Sequence, residues 1–262
     1  MTYIIAEAGV NHGGAIENAY RLIWAASGAL ANAVKFQLFS SKVLWGDERI
    51  KHLELARDDI KNLKNCAEGA GIDFLCTPFD LDALAFLIAL SIPKIKVASG
   101  MLRRKDFLHA VRDTGLPVIL STGMATLPEI NEALLNLGYG QPAEHKAGIA
   151  ILHCTSAYPC PLDQVNLTML DVYRHQWGRC EIGYSDHTPT ITASVAAVVR
   201  GATIIEKHLT LDRSADGPDH KASIEPAEFK RMVEMIREVE QCLVYSEKKV
   251  MPAEIELRKA WK

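Results

Sequence analysis

The sequence has no apolar run long enough to cross a membrane, no CxxC pair and no excess of basic residues. A membrane-spanning helix needs about 20 apolar residues, and a net charge of -3 leaves no basic face for nucleic acid or anionic lipid. The first residues, MTYIIAEAGV, lack the basic region and cleavage site of a signal peptide. Six cysteines scattered over 262 residues are typical of free thiols in a reducing compartment. These absences predict a cytoplasmic protein without nucleic-acid or membrane partners.

Short apolar, β-branched segments alternate along the chain with longer segments of helical periodicity. Strands are predicted at 3–8, 33–38, 72–76, 94–98, 118–121, 148–154, 181–185 and 203–209. Helices are predicted at 15–31, 52–70, 81–90, 105–114, 128–137, 165–175, 191–200 and 226–246. Eight such units in about 250 residues are typical of a (β/α)8 TIM barrel, which places reacting groups at the carboxyl ends of its strands. We predict an α/β barrel over residues 1–246 and a polar tail over 247–262, with a doubly wound open sheet as the alternative.

Polar residues collect at the ends of the predicted strands. Strands 7 and 8 each finish on a histidine, and His187 and His208 would lie side by side at one rim, where a divalent metal would need them. Lys35 and Lys96 interrupt apolar strands, and a lysine inside a barrel is costly unless an anion meets it. The turns after strands 4 and 5 add small and hydroxyl-bearing residues that let a phosphate approach backbone amides: Ser99, Gly100, Ser121, Thr122 and Gly123. Together these residues indicate a phosphate or carboxylate site beside a metal site.

The other histidines fit structural roles, because a single histidine is usually a hydrogen-bonded packing residue. This interpretation applies to His12, His52, His109, His145 and His175. We expect His153 to support its strand from inside.

With these motifs in place, the chain resembles the sialic acid synthase family, the phosphoenolpyruvate-condensing TIM barrels that make N-acetylneuraminate and related nonulosonic acids. The resemblance covers almost the whole chain. It rests on the segments IAEAGVNHGG (5–14), VKFQ (34–37), TPF (77–79), KVASG (96–100), STGM (121–124), CTSAYP (154–159), YSDH (184–187), EKH (206–208) and GPDH (217–220).

The resemblance implies a role for each matching residue. His187 and His208 would bind a divalent metal, commonly Mn2+, with Mg2+ or Co2+ as alternatives. The residues that would hold phosphoenolpyruvate are Lys35, Thr77, Lys96, Ser99, Ser121, Ser156 and Ser185. Those that would face the sugar are Gln37, Tyr158 and Asp219. Glu7 and Asp186 would lie near the metal, and Glu7 is the candidate for handling the protons of water.

The reaction implied is a condensation of phosphoenolpyruvate with the aldehyde of an open-chain aldose, an N-acetylmannosamine-like amino sugar or a relative. The metal would polarise the aldehyde, and a 2-keto-3-deoxy sugar acid and phosphate would form. Two enzymatic alternatives and one non-enzymatic alternative stay open. They are a condensation with a sugar phosphate, a metal-dependent aldolase on the same barrel, and a non-catalytic metabolite-binding relative.

The sequence departs from the family pattern on the sugar side. Met101 stands where relatives usually carry an acidic residue, and the connection at 39–51 is short. A sugar-phosphate acceptor would need a second cationic cluster, which Arg103, Arg104 and Lys105 could provide. The sequence ends at Lys262, where relatives continue into a small antifreeze-like domain that supplies an arginine to the partner subunit's site. Barrels often pair through their helices, so a homo-oligomer is one expectation, and a separate subunit that carries such a domain is another.

Overall fold

Eight parallel strands alternate with helices in the computed structural model of the protein, which describes residues 1–44, 48–140, 148–244 and 247–261. The strands are β1 (Tyr3–Gly9), β2 (Ala33–Leu38), β3 (Asp73–Pro78), β4 (Ile95–Val97), β5 (Val118–Ser121), β6 (Ile149–His153), β7 (Glu181–Asp186) and β8 (Ile204–His208). Their order is β3-β2-β1-β8-β7-β6-β5-β4, with β3 and β4 side by side, so the sheet is a nearly closed barrel. The predicted barrel is confirmed.

The helices pack around the strands. They are α1 (Ile16–Gly28), α2 (Ser41–Leu44), α3 (Arg57–Gly69), α4 (Leu81–Ala89), α5 (Lys105–Asp113), α6 (Leu127–Asn136), α7 (Met169–Gln176), α8 (Thr192–Val199), α9 (Pro226–Cys242) and α10 (Ile255–Ala260). Short 3-10 turns cover Glu48–Leu53, Ser99–Met101, Leu162–Gln164, His220–Ala222 and Pro252–Glu254. None of the helices in the described ranges is long and apolar enough to cross a bilayer.

Two predicted helices begin later than expected. The helix predicted from residue 52 begins at Arg57, because a 3-10 turn over Glu48–Leu53 precedes it. The helix predicted from residue 165 begins at Met169, since Asn166 adopts a left-handed backbone (φ 50°) that an α-helix cannot contain. The helix predicted to end at residue 246 ends at Cys242. Residues 245 and 246 at the predicted boundary lie outside the described residues, as do His145 and part of the 39–51 connection. The predicted boundary between barrel and tail therefore stays a prediction.

The core has two layers, which follow from side-chain alternation along the strands. One set of side chains packs against the surrounding helices in a large apolar cluster. The other set fills the barrel interior at the amino-terminal end of the strands: Ile5, Ala33, Leu75, Ile119, Ala150, Leu152 and Ile204. Continuing the same alternation towards the carboxyl ends replaces these apolar side chains by polar ones, beginning with Glu7, Lys35 and Glu206. Apolar side chains thus fill the barrel at the amino-terminal ends of the strands, and a polar site opens at their carboxyl ends.

Candidate active site

A cavity of about 540 Å3 opens at the carboxyl ends of the barrel strands. Thirteen of the residues predicted for the site line it: Glu7, Lys35, Gln37, Thr77, Lys96, Ser99, Ser121, Ser156, Tyr158, Ser185, His187, His208 and Asp219. The structure therefore brings together in one place the residues predicted to bind the anion, the metal and the sugar. Their individual roles remain predictions.

Four buried charges of alternating sign form the inner end of the cavity. Lys35 Nζ lies 2.6 Å from Glu7 Oε2 and 3.7 Å from Glu206 Oε2. Lys96 Nζ lies 3.5 Å from Glu206 Oε1, so Glu206 bridges the two lysines. Each of the four residues is no more than 4% exposed. The carboxylates compensate the lysines in the free protein, which is what buried charges require.

The ionisation of these groups follows from burial and from their neighbours. Burial alone would raise the pKa of Glu206, but Lys35 and Lys96 lower that pKa to about 2. Burial raises the pKa of Glu7, although Lys35 opposes this shift. Burial lowers the pKa of Lys96, whereas Glu206 and Glu7 outweigh burial at Lys35 and raise its pKa. Glu206 is therefore the firmly ionised carboxylate, and Glu7 is the one that takes up a proton more readily.

Hydroxyl groups surround the lysines. Lys35 Nζ donates to Thr77 Oγ1 at 3.1 Å, and Lys96 Nζ donates to Ser121 Oγ at 2.7 Å. Ser185 Oγ donates to Glu206 Oε1 at 2.8 Å. An anion placed among these side chains would meet two ammonium groups and several hydroxyl donors at once.

A narrow notch lies beside the lysines, where Ser99 Oγ and Ser156 Oγ are 3.2 Å apart. Gly123 completes this notch with a left-handed backbone (φ 41°). A Cβ atom at Gly123 would lie 2.4 Å from Ser156 Oγ and 2.4 Å from Ser99 Cβ, so no larger residue fits. The glycine thus leaves room for this pair of hydrogen-bonded hydroxyls on the cavity wall.

The two histidines lie next to each other, with ring centroids 5.5 Å apart. Tyr158 stacks on His187 at 4.2 Å and meets the ring of His208 edge-on at 5.6 Å. His187 Nδ1 is 2.6 Å from the carbonyl oxygen of Thr155 and must donate to it, which leaves Nε2 as the lone-pair nitrogen of a neutral ring. Burial lowers the pKa of both histidines, and at His208 the neighbouring His187 lowers it further. Neutral imidazoles are the form that binds metals.

Asp219 approaches the histidines from the loop after β8. Its Oδ2 lies 3.6 Å from His208 Nδ1, a buried nitrogen without a hydrogen-bond partner among the described residues. Burial and the nearby charge of Glu7 raise the pKa of Asp219 to about 7. Gly9 permits this approach, because a Cβ atom at Gly9 would lie only 3.1 Å from Asp219 Oδ2. Gly9 also adopts a left-handed backbone conformation (φ 50°), which favours glycine. Gln37 Nε2 donates to Glu7 Oε1 at 3.0 Å and orients that carboxylate.

His187 and His208 are the two side chains that would hold a metal in this site. Over the described ranges, no group of three or more His, Cys, Asp or Glu side chains converges to hold a metal ion. His187 nevertheless presents a defined lone-pair nitrogen, and His208 Nδ1 is buried and unpartnered. This donor set fits a divalent ion that takes its remaining ligands from water and substrate.

The outer wall of the cavity is mostly apolar. Val10, Phe39 and Leu53 form a buried cluster with Ile50 and Phe79 packed against it. All of them line the cavity, as do the buried Met101 and the exposed Met124. Met101 therefore contributes an apolar contact to the side of the cavity where the resemblance implies an acid.

Three sequence-based expectations need correction or addition. Asp186 does not reach the cavity, because its side chain accepts hydrogen bonds from Ser194 Oγ and the Thr188 amide on the helix-facing side of β7. His153 does not point into the barrel either, since it packs against Tyr173 and bonds the Val165 carbonyl oxygen. Glu206 was missed as a site residue.

Among the remaining histidines that the structure describes, His12 is buried and accepts from the Gly14 amide, and His109 bonds the side chain of Asn136.

Glu206 could have been found from the sequence, because alternation places it on the same face as His208.

Comparison with known proteins adds to this geometry. The sequence model of the NeuB family matches residues 22–248. The chain belongs to the NeuB family. It is 43% identical to an uncharacterized protein, MJ1065, of Methanocaldococcus jannaschii, over 97% of this chain and 75% of the relative. It is 37% identical to the N,N'-diacetyllegionaminic acid synthase of Legionella pneumophila, over 98% of this chain and 77% of that enzyme.

A solved structure gives the same result. The N-acetylneuraminic acid synthetase of Leptospira borgpetersenii, determined in complex with citrate, superposes with a TM-score of 0.91. It is 34% identical and covers 99% of this chain and 90% of its own. The predictions that the chain is a sialic acid synthase-like member of this family, and an enzyme of the transferase class, are confirmed.

Proposed function

We propose that this NeuB-family enzyme condenses phosphoenolpyruvate with the aldehyde of an open-chain aldose, giving a 2-keto-3-deoxy sugar acid and phosphate. The observation that supports this most directly is one cavity that holds two buried lysines and two adjacent neutral histidines. The first pair suits an anion and the second suits a divalent metal. The names of the synthase relatives fit a nonulosonic acid as the product.

In this proposal, phosphoenolpyruvate binds among Lys35, Lys96 and the hydroxyls around them. In the protein without substrate, Glu7 and Glu206 already neutralise the charges of the two lysines. The phosphate and carboxylate of phosphoenolpyruvate would therefore compete with these two side chains for the ammonium groups. Thr77, Ser121 and Ser185 add donors next to the lysines. Ser99 and Ser156 line the notch beside Gly123, which suits a small planar carboxylate or a phosphate oxygen.

A divalent metal, Mn2+ in the first instance, would be held by His187 and His208. When bound, it supplies a Lewis acid that polarises the aldehyde oxygen of the acceptor. Tyr158 packs on both imidazole rings and fixes their orientation. The hydrogen bond from His187 to the Thr155 carbonyl oxygen fixes which nitrogen faces the cavity.

The bonds that form and break in this reaction require side chains that accept and hold protons. C3 of phosphoenolpyruvate forms a bond to the aldehyde carbon, the aldehyde oxygen takes a proton, and water adds to C2. The C2–O bond to phosphate then breaks, and the 2-keto group remains. Glu7 can accept a proton from the water, because its raised pKa makes it a stronger base than an exposed carboxylate. Asp219, with a pKa near 7, can hold a proton beside His208.

Phosphate release measured with phosphoenolpyruvate, Mn2+ and a panel of aldoses tests the proposal. We expect phosphate only when an acceptor is present, in a 1:1 ratio with the 2-keto-3-deoxy product. Phosphoenolpyruvate labelled with 18O at its bridging oxygen should deliver the label to phosphate, because the C–O bond breaks.

A matched pair of lysine variants controls the assay. Lys96→Met should lower kcat/KM for phosphoenolpyruvate by at least 100-fold, since it removes a cation at the anion site. Lys94→Met removes a partly exposed lysine that contacts Tyr3 and Asp73 and should leave kcat/KM unchanged. Tight phosphoenolpyruvate binding without phosphate release across a broad aldose panel would contradict the proposed reaction.

A further inference from the structure

Three consecutive basic residues follow β4, and the structure separates them. Arg103 Nη1 lies 3.5 Å from Glu129 Oε1, and Lys105 Nζ lies 2.6 Å from Glu132 Oε1, so both are paired with α6. Arg104 instead lines the cavity. Over the ranges the structure describes, its guanidinium makes no ion pair or hydrogen bond with any residue. The cluster predicted from sequence therefore reduces to one arginine that faces the site.

Two backbone hydrogen bonds fix the main-chain position of Arg104. The Arg104 amide donates to the Met101 carbonyl oxygen at 3.0 Å, and the Leu108 amide donates to the Arg104 carbonyl oxygen at 3.0 Å. These bonds hold Arg104 between the 3-10 turn Ser99–Met101 and the first turn of α5. The position of the Arg104 backbone relative to Ser99 is thus set by local structure.

Arg104 lies on the far wall from the histidines. In the strand order, β4 is four strands away from β8, which places the two on opposite sides of an eight-stranded barrel. Lys35 and Lys96 are 3% exposed at the inner end of the cavity, whereas Arg104 is exposed at its outer end. An open-chain aldose with its aldehyde at the histidines therefore extends its other end towards the wall that carries Arg104.

The surroundings of Arg104 favour an anion as its partner. The two buried lysines already face carboxylates, but the residues of the outer wall are mostly apolar, Met101 and Phe79 among them. A guanidinium presents a planar set of donors that matches phosphate and carboxylate in a two-point contact. The hydroxyl groups of a neutral sugar would accept hydrogen bonds from this guanidinium, but an anionic group forms the stronger, charge-assisted pair.

We infer that Arg104 binds an anionic group of the acceptor, a phosphate or a carboxylate, at the end remote from the aldehyde. This inference rests on the proposed condensation and narrows its substrate to an acidic aldose. The expected contribution is a factor of about 10 to 100 in kcat/KM, as for a charge-assisted hydrogen bond of about 1.5–3 kcal/mol.

The kinetic test uses matched acceptors and matched variants. kcat/KM is measured with Mn2+ and saturating phosphoenolpyruvate for one aldose, its 6-phosphate and the corresponding uronic acid. The wild type should prefer an acidic form by at least 10-fold, and the preferred form shows whether the group is a phosphate or a carboxylate. Arg104→Gln should reduce this preference to less than threefold, while Arg103→Gln should retain it.

A binding test separates this inference from the reaction itself. The alditol 6-phosphate and the uronic acid reduced at C1, which keeps its carboxylate at C6, have no aldehyde and cannot react, so calorimetric titration with phosphoenolpyruvate and Mn2+ present reports affinity alone. Arg104→Gln should weaken binding of one of them at least 10-fold relative to the neutral alditol, and Arg103→Gln should not. Equal affinities in the wild type and Arg104→Gln, or a wild type that prefers the neutral aldose, would overturn the inference. Loss of turnover with every acceptor but intact Arg104-dependent binding would contradict only the proposed reaction.

Discussion

Lys207 Nζ lies 3.2 Å from Asp186 Oδ2, and both side chains are completely buried. Each residue immediately precedes a histidine of the site, and the pair lies on the helix-facing side of β7 and β8. Lys207 also donates to the carbonyl oxygens of Thr188 and Thr190, and Ser194 donates to Asp186. The ion pair therefore ties together the two strand ends that carry His187 and His208.

Asp186→Asn should destabilise the protein by about 3–5 kcal/mol, because it leaves the Lys207 ammonium buried without its counter-charge. The double variant Asp186→Asn/Lys207→Met should be less destabilised than the sum of the two single variants. Denaturant-induced unfolding of the four proteins measures the coupling energy. Strictly additive effects would show that the two side chains do not stabilise each other.

Removal of a site histidine should weaken metal binding. His187→Ala should lower the affinity for Mn2+ by at least 10-fold in calorimetric titration, because it removes one of the two imidazoles that the proposed site would give the metal. His175→Ala removes an exposed histidine of α7 and serves as the control. Unchanged affinity in His187→Ala would place the metal elsewhere or exclude a role for this residue in binding it.

The notch at Gly123 provides a test of the anion site. Gly123→Ala should weaken phosphoenolpyruvate binding at least 10-fold, since the new methyl group would collide with Ser99 and Ser156. Gly115→Ala is a matched control, because Gly115 has the same left-handed backbone (φ 68°) but open space where the new methyl group would lie. Both variants should lose about 1–2 kcal/mol of stability from backbone strain. Only Gly123→Ala should lose affinity, and equal losses would mean that strain rather than the clash is responsible.

Acid should destabilise the protein through His12. Burial lowers the pKa of this residue to about 4, so the folded protein binds fewer protons than the unfolded chain between pH 6.5 and 4. The free energy of unfolding should therefore fall as pH drops through this window, by about 3 kcal/mol from His12 alone.

His12→Asn keeps an acceptor for the Gly14 amide but cannot be protonated. Thermal melts of the two proteins from pH 7 to pH 4 should show a smaller loss of stability in His12→Asn. Parallel pH profiles would mean that His12 does not contribute to the acid sensitivity.

The sequence by itself determined the barrel fold and most of the residues that line its site. The repeat of strand and helix patterns depends on local periodicity, and alternation along each strand decides which side chains face inward. Lys35, Gln37, Ser185, His187 and His208 could therefore be assigned to one cavity without coordinates. Local patterns also marked Glu206, which lies on the same face as His208.

Only the tertiary structure decided which of these groups contact one another. Glu206 bridges Lys35 and Lys96 because barrel closure brings side chains of three different strands within 4 Å, and no local pattern encodes such distances. Asp186 pairs with Lys207 behind the site for the same reason. Three adjacent basic residues after β4 read alike in sequence, yet α6 offers carboxylates to two of them and leaves Arg104 facing the cavity. Pairing depends on which elements pack against a loop, and that is a property of the folded chain alone.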